Sequence, residues 1–171
     1  MRIEGQQELF VVVDDHDNFI KYLSEDECHV QGLRHRTVSM VAINEESEIA
    51  MQLRSPDKKL FPNMYTVTAS GHVIKKSESD EPETYDEAAE AEWIEEVGVP
   101  TPSLTFVKKA VIPAPEHPTL TAIYTTTYSG PFKPNPAEVA YIKFFTKQGL
   151  QEIMSQLTPN ARIVLQELNL I

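Results

Sequence analysis

The stretch Glu83-Thr84-Tyr85-Asp86-Glu87-Ala88-Ala89-Glu90-Ala91-Glu92-Trp93-Ile94-Glu95-Glu96-Val97-Gly98-Val99 decides how this chain is read. It predicts a helix with both ends marked. Thr84 followed three residues later by Glu87 has the capping-box pattern, in which each side chain bonds the other's backbone N–H, and Gly98 is the C-terminal stop. Ala89, Trp93 and Val97 recur at four-residue spacing and give the helix an apolar stripe. Glu92, Glu95 and Glu96 stand at i, i+3 and i+4, so their carboxylates project from one face. Like charges at this spacing repel by about 0.2–0.5 kcal/mol per adjacent pair. Glu95 and Glu96 also fall in the last turn, where the helix dipole disfavours anions. A cluster opposed by both effects makes sense around a hard divalent cation, because Mg²⁺ and Mn²⁺ prefer oxygen ligands. The plain alternative is a solvated acidic face.

The frame around these glutamates resembles the Nudix hydrolase box. That box runs glycine, five residues, glutamate, seven residues, then Arg-Glu, an aliphatic, any residue, Glu-Glu, any residue, Gly and an aliphatic. Glu83, seven residues and Ala91 to Val99 follow its second half. Ala91 replaces the arginine, so Glu83 is expected to lack its usual partner. The leading glycine matches Gly71, with eleven residues instead of five before Glu83. The added loop, Lys75 to Pro82, is polar and contains proline, as suits an exposed insertion.

Strands expected before and after the central helix imply an α+β or mixed-sheet layered domain, and the resemblance sharpens this to a mixed β-sheet sandwiched between α-helices. It implies Mg²⁺ or Mn²⁺ held by Glu92, Glu95 and Glu96 with the Gly71 carbonyl, and Glu92 or Glu96 as acceptor of the attacking water's proton. Arg54 and Lys58, cationic groups before the metal loop, are expected to meet phosphate oxygens. The expected activity is pyrophosphohydrolysis of a small-molecule diphosphate, nucleoside-diphosphate-linked or related. The alternative is a degenerate Nudix fold that binds without turnover, and Ala91 is the feature that favours it.

From about Leu9 to Leu157 the chain looks closest to the Nudix branch that shares the isopentenyl-diphosphate isomerase architecture. Leu33-Arg34-His35-Arg36, Gln52 to Lys58 and Phe61-Pro62-Asn63 carry that likeness. His29, His35 and His72 roughly match three metal-binding histidines of the isomerase. Its catalytic cysteine, however, corresponds to Ser70, whose hydroxyl has far too high a pKa to stand in for a thiol. Thr119 to Tyr124 also lacks the paired glutamates. Isomerase activity is therefore rejected as the leading reading and kept as a third alternative, and the histidines are read as structural, with local hydrogen-bond partners. Glu138 matches a position where hydrolases of the family place an acidic residue near the metals; an exposed loop carboxylate fits as well. Asp14, Asp15 and Asp17 start like a calcium loop, but the required Gly and Glu are missing, which leaves a turn.

A length of 171 residues with 41% hydrophobic content suits one folded domain, 1–171. The net charge of −11 argues against nonspecific nucleic-acid binding, which needs basic patches. Cys28 is the single cysteine, so no intrachain disulfide can form. With no signal pattern and no run long enough to span a membrane, the expected location is the cytoplasm.

Along the chain, strands are expected at Leu9 to Val13 and Phe19 to Leu23, followed by a short helix capped by Ser24. Thr37 to Ile43 and Glu48 to Leu53 read as a hairpin, and Tyr65 to Ala69 as one strand. Leu104 to Ile112, Thr119 to Tyr128 and Ala140 to Phe145 read as further strands. Helices at Lys147 to Leu157 and Asn160 to Leu170 close the chain.

Overall fold

Strand β3, His35–Ile43, organises the computed structural model, which describes residues 2–115 and 117–171. Along its whole length β3 pairs in parallel with β8, Thr119–Thr127, from His35↔Thr119 to Ile43↔Thr127. On its other side it pairs antiparallel with β6, Ala69–His72, from Thr37↔His72 to Met40↔Ala69. A strand flanked this way buries both faces, and its side chains alternate between two cores. Val38, Met40 and Ala42 join Ala89, Trp93 and Val97 of helix α2, Tyr85–Val97. Val41 faces the opposite way, with Ile49, Ile123, and Ala161, Val164 and Leu165 of helix α4, Pro159–Glu167. The expected layering of helix, mixed sheet and helix is what the chain forms.

The remaining strands extend this sheet. β1, Phe10–Val13, forms an antiparallel hairpin with β2, Phe19–Leu23, through the turn at Asp14 to Asn18. β7, Thr105–Ile112, runs antiparallel to β8. β9, Val139–Phe145, runs antiparallel to β4, Ile49–Arg54. Helix α1, Glu25–Gln31, carries a complete capping box from Ser24 and Glu27.

Two expectations are corrected here. The β3–β4 hairpin pairs only at its tip, Ile43↔Ile49, after which β4 leaves to join β9 and β5, Tyr65–Thr66. The segment expected as one strand from Tyr65 to Ala69 is broken into β5 and β6 at Val67 and Thr68. One residue accounts for both. The Thr68 hydroxyl accepts from the Ala42 N–H of β3 at 2.8 Å and donates to the Ala50 carbonyl of β4 at 2.6 Å, replacing ladder bonds where the strands diverge. Thr68→Val keeps the shape but strands both backbone groups in a buried place, so it should cost about 1–3 kcal/mol in chemical denaturation. An unchanged denaturation midpoint would show that the split does not depend on this hydroxyl.

The C-terminal pair of helices is shorter than expected. Helix α3 covers Lys147–Glu152, a 3₁₀ turn follows at Met154–Gln156, and Leu157 then extends to bridge Tyr65. Thr158 caps α4 by accepting from the Ala161 N–H, with Pro159 in the first turn, where its missing N–H costs nothing. Among the described residues no helix is long and apolar enough to cross a membrane.

Candidate metal centre

Helix α2 has the predicted ends: Thr84 and Glu87 complete the capping box, and Gly98 takes the left-handed conformation at φ 74°. With Ala89, Trp93 and Val97 turned onto β3, the helical period directs Glu92 and Glu96 toward β6. Both are buried, at 8% and 6% exposure, while the Glu95 side chain is about half exposed at 48%. Gly71 is what lets Glu92 in. A Cβ at Gly71 would stand 1.9 Å from the Glu92 carboxyl carbon, so the carboxylate lies directly over bare backbone.

Each buried glutamate is held by particular groups. One Glu96 oxygen accepts from Gln52 Nε2 at 2.7 Å and from the Ser70 N–H at 2.8 Å. Gln52 is itself fully buried, and its Oε1 has no partner among the described residues. Glu92 accepts from Arg2 Nη1 at 2.5 Å. Glu83, also buried, accepts from Arg2 Nε and Nη2 at 2.9 Å each and from the Ile74 N–H at 3.2 Å. The expectation that Glu83 lacks a partner is thereby corrected: the guanidinium comes from Arg2, not from position 91.

Electrostatics favour a cation here. Burial pushes the Glu92 carboxyl above the usual carboxylate range; Arg2 works against the shift, and the neighbouring Glu96 charge adds to it. Burial likewise pushes Glu96 up, offset only in part by the Ser70 N–H, Gln52, and the charges of Lys58 and Arg54. Burial is the largest cause of both shifts, and a cation beside the pair would offset it. Among the described residues no three or more His, Cys, Asp or Glu side chains converge as a finished metal cage. Arg2 reaches from Glu92 to within 3.6 Å of Glu95, while Glu96 is turned to Gln52 and Ser70. The donor chemistry still fits a hard cation: two buried carboxylates, a third beside them, and an amide oxygen on Gln52 left without a partner among the described residues.

The phosphate-binding candidates flank this centre. Arg54 is anchored through Nε to the Leu60 carbonyl at 3.1 Å, and burial draws its pKa down while Glu96 and Glu138 work the other way. Lys58 forms an ion pair with Glu138, so that carboxylate belongs to the same cluster rather than to an isolated loop. Sequence reasoning missed two members of the site. Gln52 had a signal, as a polar residue inside the apolar run Ile49 to Leu53. Arg2 had none, lying 81 residues from Glu83.

The histidines expected to be structural gather on the far side of β6. His72 stacks on Phe10 with ring centroids 3.8 Å apart, and burial pushes its pKa well down. His35 lies 5.3 Å from His72, has Nδ1 3.1 Å from the Leu33 carbonyl, and is pushed by burial to about 4. His29 packs edge-on against His117 at 3.7 Å.

Comparison with known proteins places this architecture. The chain is 34% identical over 90 residues to a prenyl-diphosphate phosphatase of Methanosarcina mazei, covering 53% of this chain and 49% of that one. It is 28% identical over 173 residues to an isopentenyl-diphosphate delta-isomerase of Schizosaccharomyces pombe, covering 87% of this chain and 74% of the relative. It spans only 57% of the matching Clarkia breweri isomerase I. In three dimensions it resembles DR0079 of Deinococcus radiodurans, with TM-score 0.76, 22% identity, and coverage of 93% and 98% of the two chains. The Nudix domain of Shewanella oneidensis NrtR, solved with ADP-ribose, superposes with TM-score 0.61 at 14% identity, covering 86% and 98%. A sequence profile of the NUDIX domain matches residues 33–168, and the chain belongs to the Nudix family.

Proposed function

We propose that this protein is a Mg²⁺- or Mn²⁺-dependent pyrophosphohydrolase of a small-molecule diphosphate, nucleoside-diphosphate-linked or related. The observation that carries the proposal is the pair of buried carboxylates on one face of α2, Glu92 over the bare backbone of Gly71 and Glu96 against the Ser70 N–H of the same strand. Glu92, Glu95 and Glu96, with the Gly71 carbonyl, would hold the cation. Bound there, a divalent ion supplies positive charge for a diphosphate and makes water more acidic. Glu92 or Glu96 takes the proton of the attacking water; Arg2 fixes the first, and Gln52 with the Ser70 N–H fixes the second. Arg54 and Lys58 balance phosphate charge from the flank.

The prenyl-diphosphate phosphatase, the isopentenyl-diphosphate isomerases and the NrtR domain solved with ADP-ribose support a diphosphate substrate without choosing within the class. Incubation with Mg²⁺ or Mn²⁺ and a panel of ADP-ribose, nucleotide sugars, dinucleotide polyphosphates and prenyl diphosphates, followed by phosphate analysis, tests it. No turnover on any member, with tight binding of one, replaces the hydrolase by the binding-module reading that Ala91 favours.

The cation itself is testable without a substrate. A ligand bound only by the native state stabilises it by about 2.7 kcal/mol at a hundredfold excess over its dissociation constant. Millimolar Mn²⁺ should raise the melting temperature of the wild type and not of Glu92→Gln. A melting temperature indifferent to both metals removes the proposed centre.

A further inference from the structure

Arg2 is buried in a way that surface arginines are not, with its side chain 11% exposed. All its polar edges are engaged. Nε and Nη2 form a fork onto the two oxygens of Glu83 at 2.9 Å each, and Nη2 also donates to the His72 carbonyl at 2.8 Å. Nη1 reaches Glu92 at 2.5 Å. One guanidinium therefore ties together the end of β6, the residue just before the α2 cap, and the middle of α2. Burial opposes its charge, but the bonds to Glu83 and Glu92 outweigh that and hold the group above its ordinary pKa.

We infer that Arg2 is a positioning residue that sets the Glu92 carboxylate, supplying from the N-terminal segment the guanidinium that Ala91 cannot. Two kinds of contact separate this role from that of a cation merely sitting where a metal would go. The two-pronged bond is made to Glu83, on the side of the loop, and a further bond goes to backbone at His72. Nη1 lies near two of the proposed cation-holding glutamates, Glu92 at 2.5 Å and Glu95 at 3.6 Å, but Glu96 is turned instead to Gln52 and the Ser70 N–H, whereas a substitute for the metal would be shared by all three. A planar fork can hold the Glu83 carboxylate while a third nitrogen orients Glu92; an ammonium group offers a single point and cannot do both. Partners that orient a metal-holding side chain commonly matter by 10–100-fold in metal affinity.

The role rests on the reading of α2 as the metal-holding helix, so the test has one arm that needs neither metal nor substrate. Arg2→Ala, Arg2→Lys, Ala91→Arg and the double variant Arg2→Ala/Ala91→Arg are compared by metal-free melting temperature and by calorimetric Mn²⁺ affinity. Arg2→Ala should melt lower than wild type and bind Mn²⁺ roughly tenfold or more weakly. Arg2→Lys, which keeps the charge and safeguards the fold, should bind at an intermediate level. Ala91→Arg in the Arg2→Ala background should recover both quantities, since position 91 is half-buried on α2 and is where the Nudix box carries the arginine that pairs with the glutamate at the place of Glu83. Mn²⁺ binding by Arg2→Ala or Arg2→Lys as tight as wild type, or tighter, overturns the inference and makes Arg2 a competitor of the metal. A double variant that recovers nothing, while Ala91→Arg alone behaves as wild type, also overturns it. If the wild type binds neither Mn²⁺ nor Mg²⁺, the hydrolase reading falls; a metal-free melting loss in Arg2→Ala that Ala91→Arg reverses would still uphold the brace.

Discussion

Glu92→Gln and Glu96→Gln should each lower turnover on a confirmed substrate by at least about a hundredfold, the low end for loss of a general base. The amide keeps the size of the side chain but removes the charge that binds a cation and accepts a proton. The two variants should differ in stability. Glu96 is pushed up mainly by burial, so its charged form costs the fold free energy, and neutralising it should leave metal-free stability unchanged or improved. The sign follows from linkage. A carboxyl whose folded pKa lies above the unfolded value binds more protons folded than unfolded, so its contribution is lost as pH rises through the folded value. The advantage of Glu96→Gln should accordingly widen as pH climbs above the ordinary glutamate range and vanish in acid. Glu92→Gln should gain less, because it also loosens Arg2, although Glu83 still holds that guanidinium. Full turnover in both variants would end the proposed mechanism. A large loss of metal-free stability in Glu96→Gln would make that carboxylate a structural group instead.

Gly71→Ala should be nearly as damaging to activity while adding only one methyl group. The new Cβ would fall 1.9 Å from the Glu92 carboxyl carbon and 2.1 Å and 2.2 Å from its oxygens. Something must move, and the movable part is the end of the Glu92 side chain rather than either backbone. Arg2 holds that end in place, so the shift also disturbs the brace. A displacement of about 1 Å at a reacting group can cost roughly a hundredfold in rate, and a loss of that order is expected. The fold should survive, because Gly71 sits in a regular pairing with Val38 that an alanine can adopt. Measuring turnover beside the far-ultraviolet spectrum and the melting curve separates the two effects. Wild-type activity in Gly71→Ala would mean that Glu92 does its work from another position.

Helix α2 was legible from sequence because everything that makes it is local. Its caps, its stop and its apolar stripe lie within seventeen consecutive residues, Glu83 to Val99, and the i, i+3, i+4 glutamates follow from helical period alone. Most strands were legible for the same reason, since runs such as Thr119–Thr127 carry their β-forming residues in one place. The layering of mixed sheet between helices came from the resemblance of this stretch to the Nudix box, not from periodicity.

Which strands pair was not local. Where β3 and β4 diverge, the Thr68 hydroxyl bonds to both, and nothing in Thr37 to Leu53 announces it. The burial of Glu92 and Glu96 against β6, rather than in solvent, was decided by where Trp93 had to go and by the missing side chain at Gly71. The sequence marked Ala91 as a loss, because the arginine expected beside Glu92 is absent. Tertiary structure brings Arg2 across 90 residues of chain to the same carboxylate, and no pattern of spacing along one segment can express a contact made between segments that only packing brings together.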